Sequence, residues 1–233
     1  MNDSIALNKL MHMYETMANR FGKSGWWPAD SPFEVMAGAV LTQNTNWSNV
    51  EKAIHSLKTA ITLNPKSISC LKEEELAQLI YSSGTYRIKA KRLKSLALYI
   101  ALEFGGDLNR MSAKPIHVLR EDLLKIPGLG KETTDSILLY ALDKPIFVID
   151  AYTKRLFTRH GFFKESISYD ELQDWFMKIL PCDTNLYKEF HALIVLTCKS
   201  FCGRKPACES CPLAKSLIKH ESLKPYACNS TYY

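Results

Sequence analysis

Two glycines and one aspartate carry the sharpest chemical signal in this sequence. An amphipathic segment runs into Ile126-Pro127-Gly128-Leu129-Gly130, and a second helical segment opens at Lys131. Glycine tolerates backbone angles that a side chain forbids. Gly128 and Gly130 also leave bare N–H groups beside a helix N-terminus, where an anion is welcome. A phosphate could dock there through the backbone without any base being read. About a helix-length further on, the apolar run Pro145-Ile146-Phe147-Val148-Ile149 ends in Asp150. Standing before Ala-Tyr-Thr-Lys-Arg, this carboxylate is placed to cap a helix, and it could also stabilise a developing positive charge or activate water. Taken singly, the glycines make an ordinary turn and the aspartate an ordinary cap. Their separation within a helical pattern favours chemistry.

The second chemical signal is sulfur. Seven cysteines are present, and they cluster: Cys202-x5-Cys208-x2-Cys211-Pro212-Leu213, with Cys198 before and Cys228 behind. The start, Met1-Asn2-Asp3-Ser4, is no signal peptide, and no apolar run approaches a membrane span. A cytoplasmic chain is therefore expected, and close cysteines there favour a metal over disulfides. Cys70 and Cys182 read as ordinary core or surface residues.

The elements that must position these groups are helical nearly throughout. Periodicity predicts helices over 4–21, 31–42, 46–62, 73–83, 87–104, 115–125, 131–142, 151–160, 168–179 and 184–200. Residues 146–149 read as a strand signal too short and isolated to build a sheet. The fold class is all-α. With 233 residues, 46% of them hydrophobic, the chain can bury one good core or two small lobes. A net charge of +6 suits a polyanionic partner without identifying one. Five cations fall within Tyr86-Arg87-Ile88-Lys89-Ala90-Lys91-Arg92-Leu93-Lys94. More follow Asp150 (Lys154, Arg155, Arg159) and flank the cysteines (Lys199, Arg204, Lys205).

The hairpin and Asp150 together resemble the helix-hairpin-helix DNA glycosylases of the endonuclease III superfamily. In that family a glycine-rich hairpin grips the DNA backbone and an aspartate drives base excision. The resemblance implies two helical lobes, residues 30–142 and residues 1–29 plus 143–233, with double-stranded DNA containing damaged bases in the cleft between them, and a monomer free of membranes. It implies backbone contacts from Gly128, Gly130, Lys131 and Arg204. Gly84-Thr85-Tyr86-Arg87-Ile88-Lys89-Ala90 matches the family's Gly-x-Tyr-x-x-Lys-Ala and adds Lys89 to that set.

Family members carry four cysteines around a [4Fe–4S] cluster in this region, spaced x6, x2 and x5. Here the first gap is x5 and Leu217 stands at the last cysteine's place. Because such clusters generally take four thiolates, the expected ligands are Cys202, Cys208, Cys211 and Cys228, with Cys198 competing for the fourth position. A metal-free loop ranks next, and a tetrahedral zinc site after it. The role would be structural, holding Gly203-Arg204-Lys205 as a basic loop.

Substrate and reaction follow from smaller differences. Bifunctional relatives have a lysine just before the threonine after the hairpin, and its amine attacks the sugar. This chain reads Gly130-Lys131-Glu132-Thr133, and a carboxylate cannot form an imine. Lys131 lies about 100° away around a helix. Monofunctional hydrolysis is expected, with Asp150 acting on an oxocarbenium-like sugar and its water. Trp26-Trp27-Pro28 with Leu41-Thr42-Gln43-Asn44-Thr45-Asn46-Trp47 resembles the 3-methyladenine DNA glycosylase branch, in which aromatics stack on the flipped base. By that resemblance Trp26, Trp27, Pro28 and Trp47 form the base pocket, one of the paired tryptophans being core, and Gln43 fills the gap in the duplex. Two other readings stay open: a mismatch or oxidised-pyrimidine glycosylase with lyase activity through Lys131, and a non-catalytic damage-binding module.

Overall fold

A computed structural model describes residues 2–216 of the chain. Two compact units emerge: one runs to Trp26 and resumes at Phe147, and the other is Trp27–Ile146. No strand occurs among the described residues, and no described helix is long and apolar enough to cross a membrane.

The first unit opens with α1 (Asp3–Phe21), capped by the Asn2 side chain. Ala6, Leu10, Met13 and Met17 form its buried stripe, the spacing of one apolar helical face. The second unit is built around α2 (Pro32–Leu41), which Ser31 caps by accepting from the Glu34 N–H at 3.2 Å. Every residue of α2 from Val35 to Leu41 is buried, as is Phe33. A helix apolar on nearly all sides belongs at the centre of a lobe. Around it come α3 (Trp47–Ala60), α4 (Pro65–Cys70), α5 (Glu73–Leu79), α6 (Tyr86–Phe104), α7 (Leu108–Ser112), α8 (Ile116–Lys125) and α9 (Lys131–Ser136).

Three local differences from the sequence expectation have physical causes. The helix expected over 73–83 stops at Leu79 and tightens into a 3-10 turn, Tyr81–Ser83, before Gly84 at φ +74°. The short helices α4 and α7 add to the expected set; each is started by a capping side chain, Asn64 and Asp107, and each is too short for periodicity to register. The helix expected over 131–142 changes pitch: α9 ends at Ser136, and Ile137–Ala141 is a π-helical turn in which the Leu142 N–H donates to the Ile137 carbonyl. Such widened turns cluster at functional sites.

Back in the first unit, α10 (Ala151–Arg159), α11 (Tyr169–Ile179) and α12 (Thr184–Ser200) follow. Their core is aromatic. The Phe147 ring stacks on Phe176 at 4.1 Å and meets Phe190 edge-on at 6.0 Å, a favourable pair geometry beyond simple area burial. This packing anchors the run that delivers Asp150 to the start of α10.

Candidate active site

In the Trp27–Ile146 unit, α8 and α9 form the hairpin. The Arg120 guanidinium clamps the fully buried Asp135 carboxylate with bonds of 2.7 and 3.1 Å, tying one helix to the other. A two-pronged charge-assisted pair of this kind fixes orientation as well as distance. Within the turn, Gly128 takes φ +86°, and the Arg92 side chain occupies the space a Cβ would need. Glycine is required there twice over. Gly130 differs from expectation: its φ is −81°, ordinary extended backbone, and a Cβ there would meet nothing within 4 Å. Its service is an open face at the α9 N-terminus, beside the exposed Lys131 and Glu132.

Gln43 is held against this hairpin. Its amide nitrogen donates to the Gly128 carbonyl at 3.1 Å and the Thr133 hydroxyl at 2.9 Å, while its oxygen accepts from Arg92 at 2.5 Å. Sequence reading misses Arg92, which is submerged in a run of cations.

Lys89 must be moved out of the DNA-gripping set. It is 1% exposed, and its ammonium donates to the Leu41 carbonyl at 2.8 Å and the Ser83 carbonyl at 2.5 Å. Burial, and then the neighbouring Arg92 charge, lower its pKa. Its place is at the C-terminal end of α2, where a cation suits unpaired carbonyls. A phosphate cannot reach it.

The aromatic motif forms a cavity of about 210 Å³ lined by Trp27, Pro28, Gly38, Trp47 and Ile54 among others. Trp27 stands at φ +63°, a left-handed conformation that is an outlier for a bulky residue and costs on the order of 1–3 kcal/mol. Its surroundings hold it there. The ring lies 5.1 Å from Tyr140, on the π turn, and 5.7 Å from Trp47, edge-on. Its Nε1 sits 3.0 Å from where a Gly38 Cβ would be, so a side chain at this position of α2 would press on the indole. The Trp47 Nε1 donates to Glu51 at 2.9 Å. Trp26 does not line this cavity; it belongs to the other unit, with the Lys199 ammonium 5.6 Å from its ring centroid.

In that first unit, Asp150 caps α10. One carboxylate oxygen accepts from the Thr153 N–H at 2.7 Å, and the other lies 3.5 Å from His191 Nε2. The side chain is 10% exposed. Burial alone would raise its pKa, but His191 and the Thr153 bonds outweigh that, and the net shift is downward. The group is a fixed, ionised carboxylate. His191 escapes the sequence reading; its only signal is a lone imidazole inside Phe190-His191-Ala192-Leu193-Ile194-Val195.

The far end of α10 organises the cysteine loop. Arg159 donates to the Cys202 carbonyl at 3.3 Å, its Sγ at 3.2 Å and the Gly203 carbonyl at 2.8 Å, and Arg155 also reaches the Cys202 carbonyl. The Cys202 thiol is pulled below its ordinary value by a hydrogen bond with Cys198, and then by Arg159. That same bond, followed by burial, pushes Cys198 up. Burial raises Cys211 first, and the nearby Cys202 and Cys208 raise it further. These soft donors suit iron–sulfur or zinc in kind. In number they fall short: no group of three or more candidate ligands converges among the described residues, and Cys228 lies outside them. Arg204 is exposed on the same loop.

Comparison with known proteins agrees with this architecture. The HhH-GPD superfamily of base excision DNA repair proteins matches over residues 37–182. A protein of Methanocaldococcus jannaschii provisionally named a DNA repair glycosylase is 47% identical over 202 residues, 86% of this chain and 92% of its own length. Among solved structures, an H. pylori 3-methyladenine DNA glycosylase bound to 1,N6-ethenoadenine superposes with a TM-score of 0.70 at 32% identity, covering 86% of this chain and 98% of that one. A trapped endonuclease III–DNA covalent intermediate superposes with a TM-score of 0.76 at 25% identity, covering 92% and 95%. With the hairpin, the capping aspartate and these likenesses in hand, the chain belongs to the HhH-GPD superfamily and is an endonuclease III-like DNA repair glycosylase.

Proposed function

We propose that this glycosylase releases N-alkylated purines such as 3-methyladenine by monofunctional hydrolysis, leaving an intact abasic strand. The observation that carries the substrate class is the cavity walled by Trp27, Pro28 and Trp47, in a chain 32% identical to a 3-methyladenine DNA glycosylase. Aromatic faces favour a flat, electron-poor and often cationic base, and an extruded base is read by such stacking. An alkylated purine is already a good leaving group, so the protein needs to supply little acid catalysis. Asp150 supplies the fixed negative charge for the oxocarbenium-like sugar and aligns the attacking water. The Gly128–Gly130 turn, Lys131 and Arg204 hold phosphates, and Gln43 enters the gap left by the flipped nucleotide once its bonds to Gly128 and Thr133 open.

Trp47→Ala should slow 3-methyladenine release by roughly 5- to 150-fold, the equivalent of about 1–3 kcal/mol of base stacking. Affinity for an abasic-site duplex, which offers no base to stack, should stay unchanged. Equal losses on both ligands would instead mark Trp47 as a packing residue.

Lys89→Met should lower the free energy of unfolding by about 1–3 kcal/mol, because two buried carbonyls lose their donor. It should leave the salt dependence of DNA affinity untouched. Lys131→Ala should flatten that dependence by roughly 0.9 for each phosphate no longer neutralised. A flattened slope in Lys89→Met at undiminished stability would restore Lys89 to the DNA interface.

For the thiols we propose a structural [4Fe–4S] cluster on Cys202, Cys208, Cys211 and Cys228. Protein purified anaerobically should contain iron and sulfide and lose both in Cys202→Ser, Cys208→Ser or Cys211→Ser. About one zinc per chain, or no metal after iron-replete expression, would overturn the cluster.

A further inference from the structure

The charge of the aromatic cavity runs against that of the molecule. The chain carries +6 overall, as suits a polyanion, yet the cavity lining includes two carboxylates, Glu34 and Glu51, beside one ammonium, Lys58, and the His55 imidazole. The Lys58 charge is already engaged, 2.5 Å from Asp30 and 3.1 Å from Glu34. Glu51 differs: the partner of its carboxylate is the neutral indole of Trp47, which donates from Nε1 at 2.9 Å. Nothing about phosphate binding needs an acid here, and a like charge would repel the backbone. A cation is what such a lining attracts.

We propose that Glu51 makes this cavity selective for cationic over neutral purines, a specificity-determining role that rests on the alkylpurine assignment above. Two effects act together. The carboxylate, solvent-exposed at the edge of the cavity, attracts the positive charge of an N-alkylated purine directly, an attraction that salt screens. By accepting the Nε1 proton it also polarises the Trp47 ring, and a more electron-rich face binds a cation more strongly. The bond fixes the indole as well, since Trp47 and Glu51 stand one turn apart on α3. A normal purine extruded into the cavity lacks the charge, so undamaged adenine and guanine gain none of this attraction.

The test separates charge from scaffolding, because Glu51→Gln keeps an oxygen to accept from Trp47 and removes only the charge. Tryptophan fluorescence of the full chain is titrated at low salt with 3,9-dimethyladeninium, a fixed cation, and with its neutral counterpart 9-methyladenine. The wild type should bind the cation more tightly, and Glu51→Gln should cut that preference by about fivefold or more while leaving 9-methyladenine unchanged. Raising the salt should erode the preference in the wild type alone. An unchanged preference in Glu51→Gln, equal weakening of both ligands, or no saturable quenching by the cation in the wild type would each overturn the inference. Release of 3-methyladenine from methylated DNA by the wild type is measured in parallel. Release with a Glu51-independent preference sinks the inference and spares the function; a Glu51-dependent preference without release does the reverse.

Discussion

Asp150→Asn is expected to abolish base release, lowering single-turnover excision by about 10³-fold or more, the size of effect carried by a positioned charge or base in a transition state. Asparagine caps helices about as well as aspartate, so the Thr153 bond at 2.7 Å and the start of α10 should persist. The loss then reports the charge rather than the fold. Affinity for lesion DNA should be equal or greater, since a carboxylate that acts on the transition state contributes little to the ground state and its removal lessens repulsion of phosphates. The pH dependence has a definite sign. His191 and Thr153 hold the Asp150 pKa below its ordinary value, so its stabilising effect is complete above the unfolded carboxyl pKa of about 3.9 and is lost as pH falls through the lower folded value. Wild-type activity should therefore show no Asp150 titration near neutrality. Excision by Asp150→Asn within a few-fold of wild type would remove the catalytic assignment.

The second large expected effect is an absence of covalent chemistry. Borohydride added during turnover should trap no protein–DNA adduct, and the strand should stay intact at the abasic site. The reason lies at one position: Glu132 stands on the first turn of α9, where the resemblance to bifunctional glycosylases implies an imine-forming lysine, and a carboxylate has no such reaction. Lys131, one residue earlier, projects about 100° away around the helix. Efficient trapping by the wild type that disappears in Lys131→Ala would show that the neighbouring amine reaches the sugar.

Much of the fold and part of the site are legible in the sequence, and the reasons differ by element. Long helices such as α1, α6 and α12 repeat an apolar stripe often enough to be recognised, and the starts of α1 and α12 carry the capping residues Asn2 and Asp183. Asp150 is legible as a helix cap because a carboxylate directly before the helical segment Ala-Tyr-Thr-Lys-Arg is a favoured N-cap. What escapes are groups whose meaning is set by distant partners. Lys89 looks like every other cation in its segment; only the fold brings the Leu41 and Ser83 carbonyls to it. Arg92, Arg159 and His191 are the same kind of case, each defined by a contact across many residues. The π turn under Tyr140 is also hidden, because one extra residue per turn leaves hydrophobic spacing almost unaltered over so short a stretch.

The most direct test of the alkylpurine assignment is the identity of the base set free. Duplexes carrying single 3-methyladenine, uracil, mismatched thymine or oxidised pyrimidine are mixed with excess enzyme, and the released base is quantified by mass spectrometry in one single-turnover series. Wild-type protein should release 3-methyladenine fastest and leave the pyrimidines essentially untouched, with Asp150→Asn silent on every substrate. Rapid release of uracil or an oxidised pyrimidine, with methylated purines ignored, would contradict it.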